Sequence, residues 1–187
     1  SVMVAGRYEH AVVLPKDDEQ ARDLVGVGAI TALVVSVLLG ALILGFRDQW
    51  MDLLGGDIAW MPLLFAPFLL ACMGGFQPFN AWLIRRERFR AMGVNKVVQT
   101  AGITLISLLG GKLAWEHGLL IGYLAGWATY LLVVVYQAQQ AGYRFSLQPT
   151  ERLRAAAWAY RRFPIHNALP AVLFTATLSV PVFYIAQ

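Results

Sequence analysis

The densest chemistry in this chain is carried by arginine. Arg85–Arg86–Glu87–Arg88–Phe89–Arg90 sets four guanidinium groups within six residues, and Arg7, Arg161 and Arg162 stand beside other apolar stretches. A planar guanidinium fork matches two phosphate oxygens at once, so arginines at a membrane edge suit the diphosphate of a lipid-linked substrate. Arg7, Arg85, Arg88 and Arg161 lie within about one turn of a predicted membrane boundary and are the candidate substrate contacts. The competing role of the same charges is to fix topology. Glu9, His10, Glu116, His117 and His166 are the titratable groups nearest the predicted spans, each expected at an interface. Asp17, Asp18 and Glu19 form an acidic first turn that complements a helix N-terminus.

Other chemistries find little support. One cysteine, Cys72, permits no intramolecular disulfide or cysteine-based zinc site, and three scattered histidines lack metal-ligand spacing. No metal and no cofactor is expected. Paired carboxylates on one membrane face, a nucleophile elbow and a phosphate-cradling glycine loop are all missing from the pattern, which disfavours catalysis. The backbone offers a different device. Pro67, Pro78, Pro170 and Pro181 each free a carbonyl inside a predicted span, where such groups suit a wet cavity or a hinge, whereas Pro62 and Pro164 fall in harmless first turns. Gly118, Gly122 and Gly126 recur every four residues and predict close helix packing, with a substrate groove as the alternative.

The elements that must carry these residues are membrane helices. Charged residues make up 14% of 187 residues, against about 25% in a soluble domain. Leu24–Phe46 and Ile58–Ile84 are charge-free for 23 and 27 residues, enough to cross a hydrocarbon core of about 30 Å. Further spans are expected over 93–111, 118–136 and 163–187, with Lys96 and Lys112 snorkelling from the ends of the third. The second should kink at its prolines and at Gly74–Gly75. Thr150 is read as the start of a short interfacial helix bearing Leu153, Ala157 and Tyr160 at helical spacing, within a polar segment over 139–162. Continuous apolarity without period-2 alternation makes the fold class all-α, a polytopic helical membrane protein, and not a barrel. Residues 1–25, 85–96 and 139–164 hold thirteen of the fifteen Lys and Arg, which predicts that these three segments are cytoplasmic. The net charge of +4 therefore reads as topology, and no nucleic-acid partner is expected.

Specific strings then resemble a family. Arg7–Tyr8–Glu9–His10–Ala11–Val12–Val13–Leu14–Pro15–Lys16–Asp17–Asp18 is similar to the connection after the second helix of bacterial polysaccharide biosynthesis proteins. These are the oligosaccharide flippases of the multidrug/oligosaccharidyl-lipid/polysaccharide exporter superfamily. Trp82–Leu83–Ile84–Arg85–Arg86–Glu87–Arg88–Phe89 with Val98–Gln99 resembles the family's basic turn between helices four and five, and Tyr160–Arg161–Arg162–Phe163–Pro164 its entry into helix seven. The segment His166–Asn167–Ala168 departs from the hydroxyl-rich stretch often found there. The resemblance implies a two-lobed carrier of twelve to fourteen helices that moves an undecaprenyl-diphosphate-linked oligosaccharide across the bacterial inner membrane by alternating access. Residues 1–162 would then be most of the N-terminal lobe and 163–187 the first helix of the C-terminal lobe. The start at Ser1 and the end within an apolar run agree with a piece of a longer chain, expected to insert but not transport alone. Implied partners are lipid-linked oligosaccharide, membrane lipids, a glycan polymerase and export machinery, while H+ and Na+ both stay open as coupling ions. Alternative functions are a cation-coupled small-molecule exporter, disfavoured because the predicted spans hold no acid, and a membrane glycan polymerase or glycosyltransferase, disfavoured by the short outer loops.

Overall fold

The helices Asp18–Gly45, Phe89–Lys112 and Gly118–Gln140 each extend at one end beyond the charge-free window into charged or amide residues, several of which are paired. The computed structural model describes residues 8–54, 60–112, 117–144 and 150–160. A 3-10 turn at Tyr8–His10 precedes α1 (Asp18–Gly45), α2 (Arg47–Leu54), α3 (Trp60–Arg85), α4 (Phe89–Lys112), α5 (Gly118–Gln140) and α6 (Thr150–Ala159), with no strand among the described residues. Four of them, α1, α3, α4 and α5, are long and apolar enough to cross a membrane. The fold is that of an all-α polytopic membrane protein. The expected fifth span, with Pro170 and Pro181, lies outside the described residues, as do Arg7 and Arg161.

Three expectations are revised. α1 starts six residues before Leu24, because Asp17 caps it by accepting the Glu19 N–H at 3.1 Å, and so Asp23 lies inside the helix. The basic segment 85–96 is mostly helix, since α4 begins at Phe89 and leaves only a tight turn after α3. In that turn Arg88 N–H reaches the Leu83 carbonyl at 2.9 Å and Glu87 N–H the Ile84 carbonyl at 2.9 Å, with Glu87 at φ 56°. This is a Schellman ending with a non-glycine residue in the left-handed position. α5 closes the same way, but there Gly142 takes the left-handed φ of 86°. The connection after Phe46, expected as a loop, contains α2.

The main contacts run α1 to α3, α3 to α5 and α5 to α4, which orders the spans α1–α3–α5–α4 in a wall whose two ends do not pack closely together among the described residues. Missing side chains set these approaches. A Cβ on Gly122 would lie 2.8 Å from the Ser107 nitrogen, one on Gly126 would overlap Ile103, and one on Gly118 would lie 2.9 Å from Gly110 Cα. The glycine stripe is therefore the α4–α5 packing seam. α3 remains one helix through Pro67 and Pro78, and both prolines face glycines of α1: a Cβ on Gly28 would meet Pro78 Cγ at 2.8 Å, and one on Gly40 would meet Pro67 at 3.5 Å. α6 rests on the acidic N-terminal end of α1.

Candidate functional site

At the basic end, α3 finishes with two arginines aimed back at the start of α1. Arg85 donates through Nε (3.1 Å) and Nη2 (2.9 Å) to Asp18 Oδ1, through Nη1 to the carbonyls of Pro15 (2.6 Å) and Val12 (3.4 Å), and through Nη2 to that of Lys16 (3.3 Å). All five guanidinium N–H groups thus have acceptors within the protein. Arg86 takes the other carboxylate oxygen of Asp18 at 2.7 Å and lies 4.8 Å from the Trp82 ring centre. Of the sequence-predicted contacts, Arg85 is a clamp on the segment preceding α1, while Arg88 stands exposed in the turn. Pro67 and Pro78 are packed against α1, as described above.

Deeper in the wall lies a group that composition did not single out. Asn95 and Gln137 bridge α4 and α5 by a reciprocal amide pair, at 2.6 Å and 2.7 Å. One residue on, Lys96 donates to Gln99 Oε1 at 2.9 Å, and its ammonium lies 5.8 Å from the Trp127 ring centre and 5.9 Å from that of Tyr130. Trp127 is near the middle of α5, about 14 Å from one helix end and about 20 Å from the other at 1.5 Å per residue. Lys96 is exposed on α4 about two turns from its start, and its ammonium is directed along the helix to ring faces and an amide oxygen. On the same line of α4, Thr100 and Thr104 follow at four-residue steps, both exposed and each bonded back to its own helix. Phe76 of α3 completes the aromatic cluster, 5.5 Å from Trp127 and 4.9 Å from Tyr130 between ring centres. It also lines a cavity of about 420 Å³ with Glu9, His10, Gln77 and Asn80. Phe76 therefore joins the lysine cluster to a polar cavity on α3.

Electrostatics at the basic end is set by burial. Tyr143 packs edge-on against Phe79 and Trp82, and its phenol is pushed up to about 12, first by burial and then by the charge of Asp23, with Arg22 opposing. Burial likewise raises Tyr8, whose hydroxyl donates to the Ala157 carbonyl of α6 at 3.4 Å. Arg152 of α6 donates to Glu19 at 2.7 Å, which holds its guanidinium in the charged state. Among the described residues no group of three or more metal-ligating side chains comes together.

Comparison with protein-family models, curated proteins and solved structures gives no match. Sequence reasoning missed Lys96 as a site because it bounds a charge-free window, and a boundary lysine is expected to reach outward. The signal that was available is its surroundings: Asn95, Gln99, Thr100 and Thr104 fall at helical spacing with it, which is too many polar groups for a lipid-facing stripe.

Proposed function

We propose that this wall of helices lines the cavity of a carrier for an anionic, lipid-linked substrate, a flippase of diphosphate-linked oligosaccharide in a bacterial inner membrane, with its basic end cytoplasmic. The observation that carries this reading is Lys96, an exposed cation two turns inside a span-length helix, held by Gln99, Trp127 and Tyr130 at the head of the exposed Thr100–Thr104 stripe. A charge at that depth is tolerated where it faces a bundle interior or a water-filled path, and a cation there favours an anion as cargo. Arg88 at the basic end would meet the diphosphate first, and the order of the family-like strings along the chain supports the same class. The chemistry offered is binding and passage, so the protein acts as a carrier and not as an enzyme.

Trp127 provides the readout. The chain in lipid nanodiscs, titrated with a short polyprenyl diphosphate, should show a tryptophan emission change that saturates. Lys96→Met should weaken binding about tenfold or more, the loss expected for one charge-assisted contact of about 1.5–3 kcal/mol, and Lys96→Arg should restore part of it. Equal affinity of Lys96→Met and the parent would remove the basis of this reading.

A further inference from the structure

A second polar cleft, away from the lysine cluster, lies where α6 meets α1. Its volume is about 540 Å³, and it is lined by Gln20 and Asp23 of α1, by Arg152, Ala155, Ala156 and Ala159 of α6, and by Tyr160 just after it. Asp23 is only 6% exposed, its Oδ1 is sealed from solvent, and no donor among the described residues reaches that oxygen. An ionised carboxylate so placed lacks the partner that burial requires. Arg152 sits at the outer edge, half exposed, with one nitrogen on Glu19 and no second acceptor among the described residues. Glu19 and Asp23 are four residues apart on one face of α1; the cleft is negative at its base, and its lip carries the Arg152 guanidinium in an ion pair with Glu19. Arg22, Asp17 and Tyr143 are the other ionisable groups around it.

The position of the cleft narrows the ligand. It opens at the membrane-boundary end of α1, beside a helix that presents Trp158 at 70% exposure and an exposed Arg154, side chains suited to the headgroup layer. Three alanines of α6 line the space with little bulk. A compact cation with N–H donors is needed at the base and an anion at the lip, joined by a short link and delivered from the bilayer. We propose that this cleft binds the headgroup of a phosphatidylethanolamine lipid, its ammonium toward Asp23 and its phosphate toward Arg152. A choline headgroup has no N–H to give Asp23, and a glycerol headgroup has no cation.

Native mass spectrometry of the chain released from mixed bilayers tests this directly. Phosphatidylethanolamine should be retained about tenfold over phosphatidylcholine, and Asp23→Asn, close to isosteric, should bring the ratio near one. Arg152→Gln, at an exposed position, should lower retention of both lipids and leave their ratio unchanged, because both carry the phosphate. Soluble phosphoethanolamine should compete poorly. Equal retention of the two lipids by the parent, a preference that survives Asp23→Asn, or retention indifferent to Arg152→Gln would each overturn the proposal. Binding of phosphoethanolamine as tight as that of the lipid would overturn the lipid assignment. None of these outcomes bears on polyprenyl diphosphate binding at Lys96.

Discussion

Arg85 and Arg88 are three residues apart and differ in every contact that matters. Arg85 is 12% exposed and has its donors on Asp18 and three backbone carbonyls, so replacing it by Lys removes a fork that one ammonium cannot reproduce. Arg85→Lys should cost about 1.5–3 kcal/mol in thermal or denaturant unfolding in detergent, with little effect on polyprenyl diphosphate affinity in the folded fraction. Arg88→Lys should do the reverse: unchanged unfolding and weaker ligand binding. If Arg88→Lys binds like the parent, Arg88 serves topology alone. Tyr143 makes a separate statement in pH. Its folded-state value of about 12 exceeds the ordinary 10.0, so the folded chain keeps a proton that the unfolded chain gives up. That contribution is complete below about pH 10 and disappears as pH rises through about 12. Alkaline unfolding of the parent should therefore steepen over this window, and Tyr143→Phe should flatten the slope; identical pH profiles would show that burial of this phenol does not couple to folding.

Two helix endings built on one plan differ in a single residue type. α5 ends on Gly142 and α3 on Glu87, both left-handed, and only glycine takes that conformation without a Cβ penalty. Gly142→Ala should lower stability by about 1 kcal/mol and Glu87→Gly should raise it by a similar amount, measured as opposite shifts in unfolding midpoint. The first two spans were legible because a run of more than twenty uncharged residues, mostly apolar, has few alternatives in water or lipid, whereas the third, with a shorter run between Lys96 and Lys112, was read only by extending it past Lys96. The helix ends were not legible, and the reason is chemical. Window arithmetic stops at the first charge, whereas a helix can continue through charged and amide residues, and several of these find partners, as Asp18 does with Arg85 and Arg86 and as Asn95 does with Gln137. That same rule hid the candidate site, since Lys96 bounds the charge-free run 97–111 and was read as a snorkelling end of the span, yet lies two turns inside α4. The prolines of α3 were read from backbone chemistry alone; that Gly28 and Gly40 of α1 receive their rings depends on register between two helices, which no single-helix pattern contains.

At the scale of the molecule, the basic segments meet at one end of the wall through contacts that join residues far apart in sequence: Asp18 with Arg85, Asn95 with Gln137, Glu19 with Arg152 and Tyr8 with Ala157. The charge bias alone linked these segments through membrane orientation; the contacts link them through geometry, and the two agree on which ends lie together. α2 follows the far end of α1, so Asp52 and Gln140 should face opposite sides of the membrane. Both are exposed, and Cys72 is buried, which makes Cys72→Ala a suitable background for single-cysteine probes. An impermeant maleimide added to intact cells should label Asp52→Cys and leave Gln140→Cys unmodified until the membrane is opened, since positive segments stay on the cytoplasmic side. Reversed labelling would turn the wall over and put Arg88 on the outer face, where it would meet a substrate leaving and not one arriving. Labelling of both positions from outside would mean that one of the helices between them fails to cross, and the row α1–α3–α5–α4 would not be the membrane arrangement.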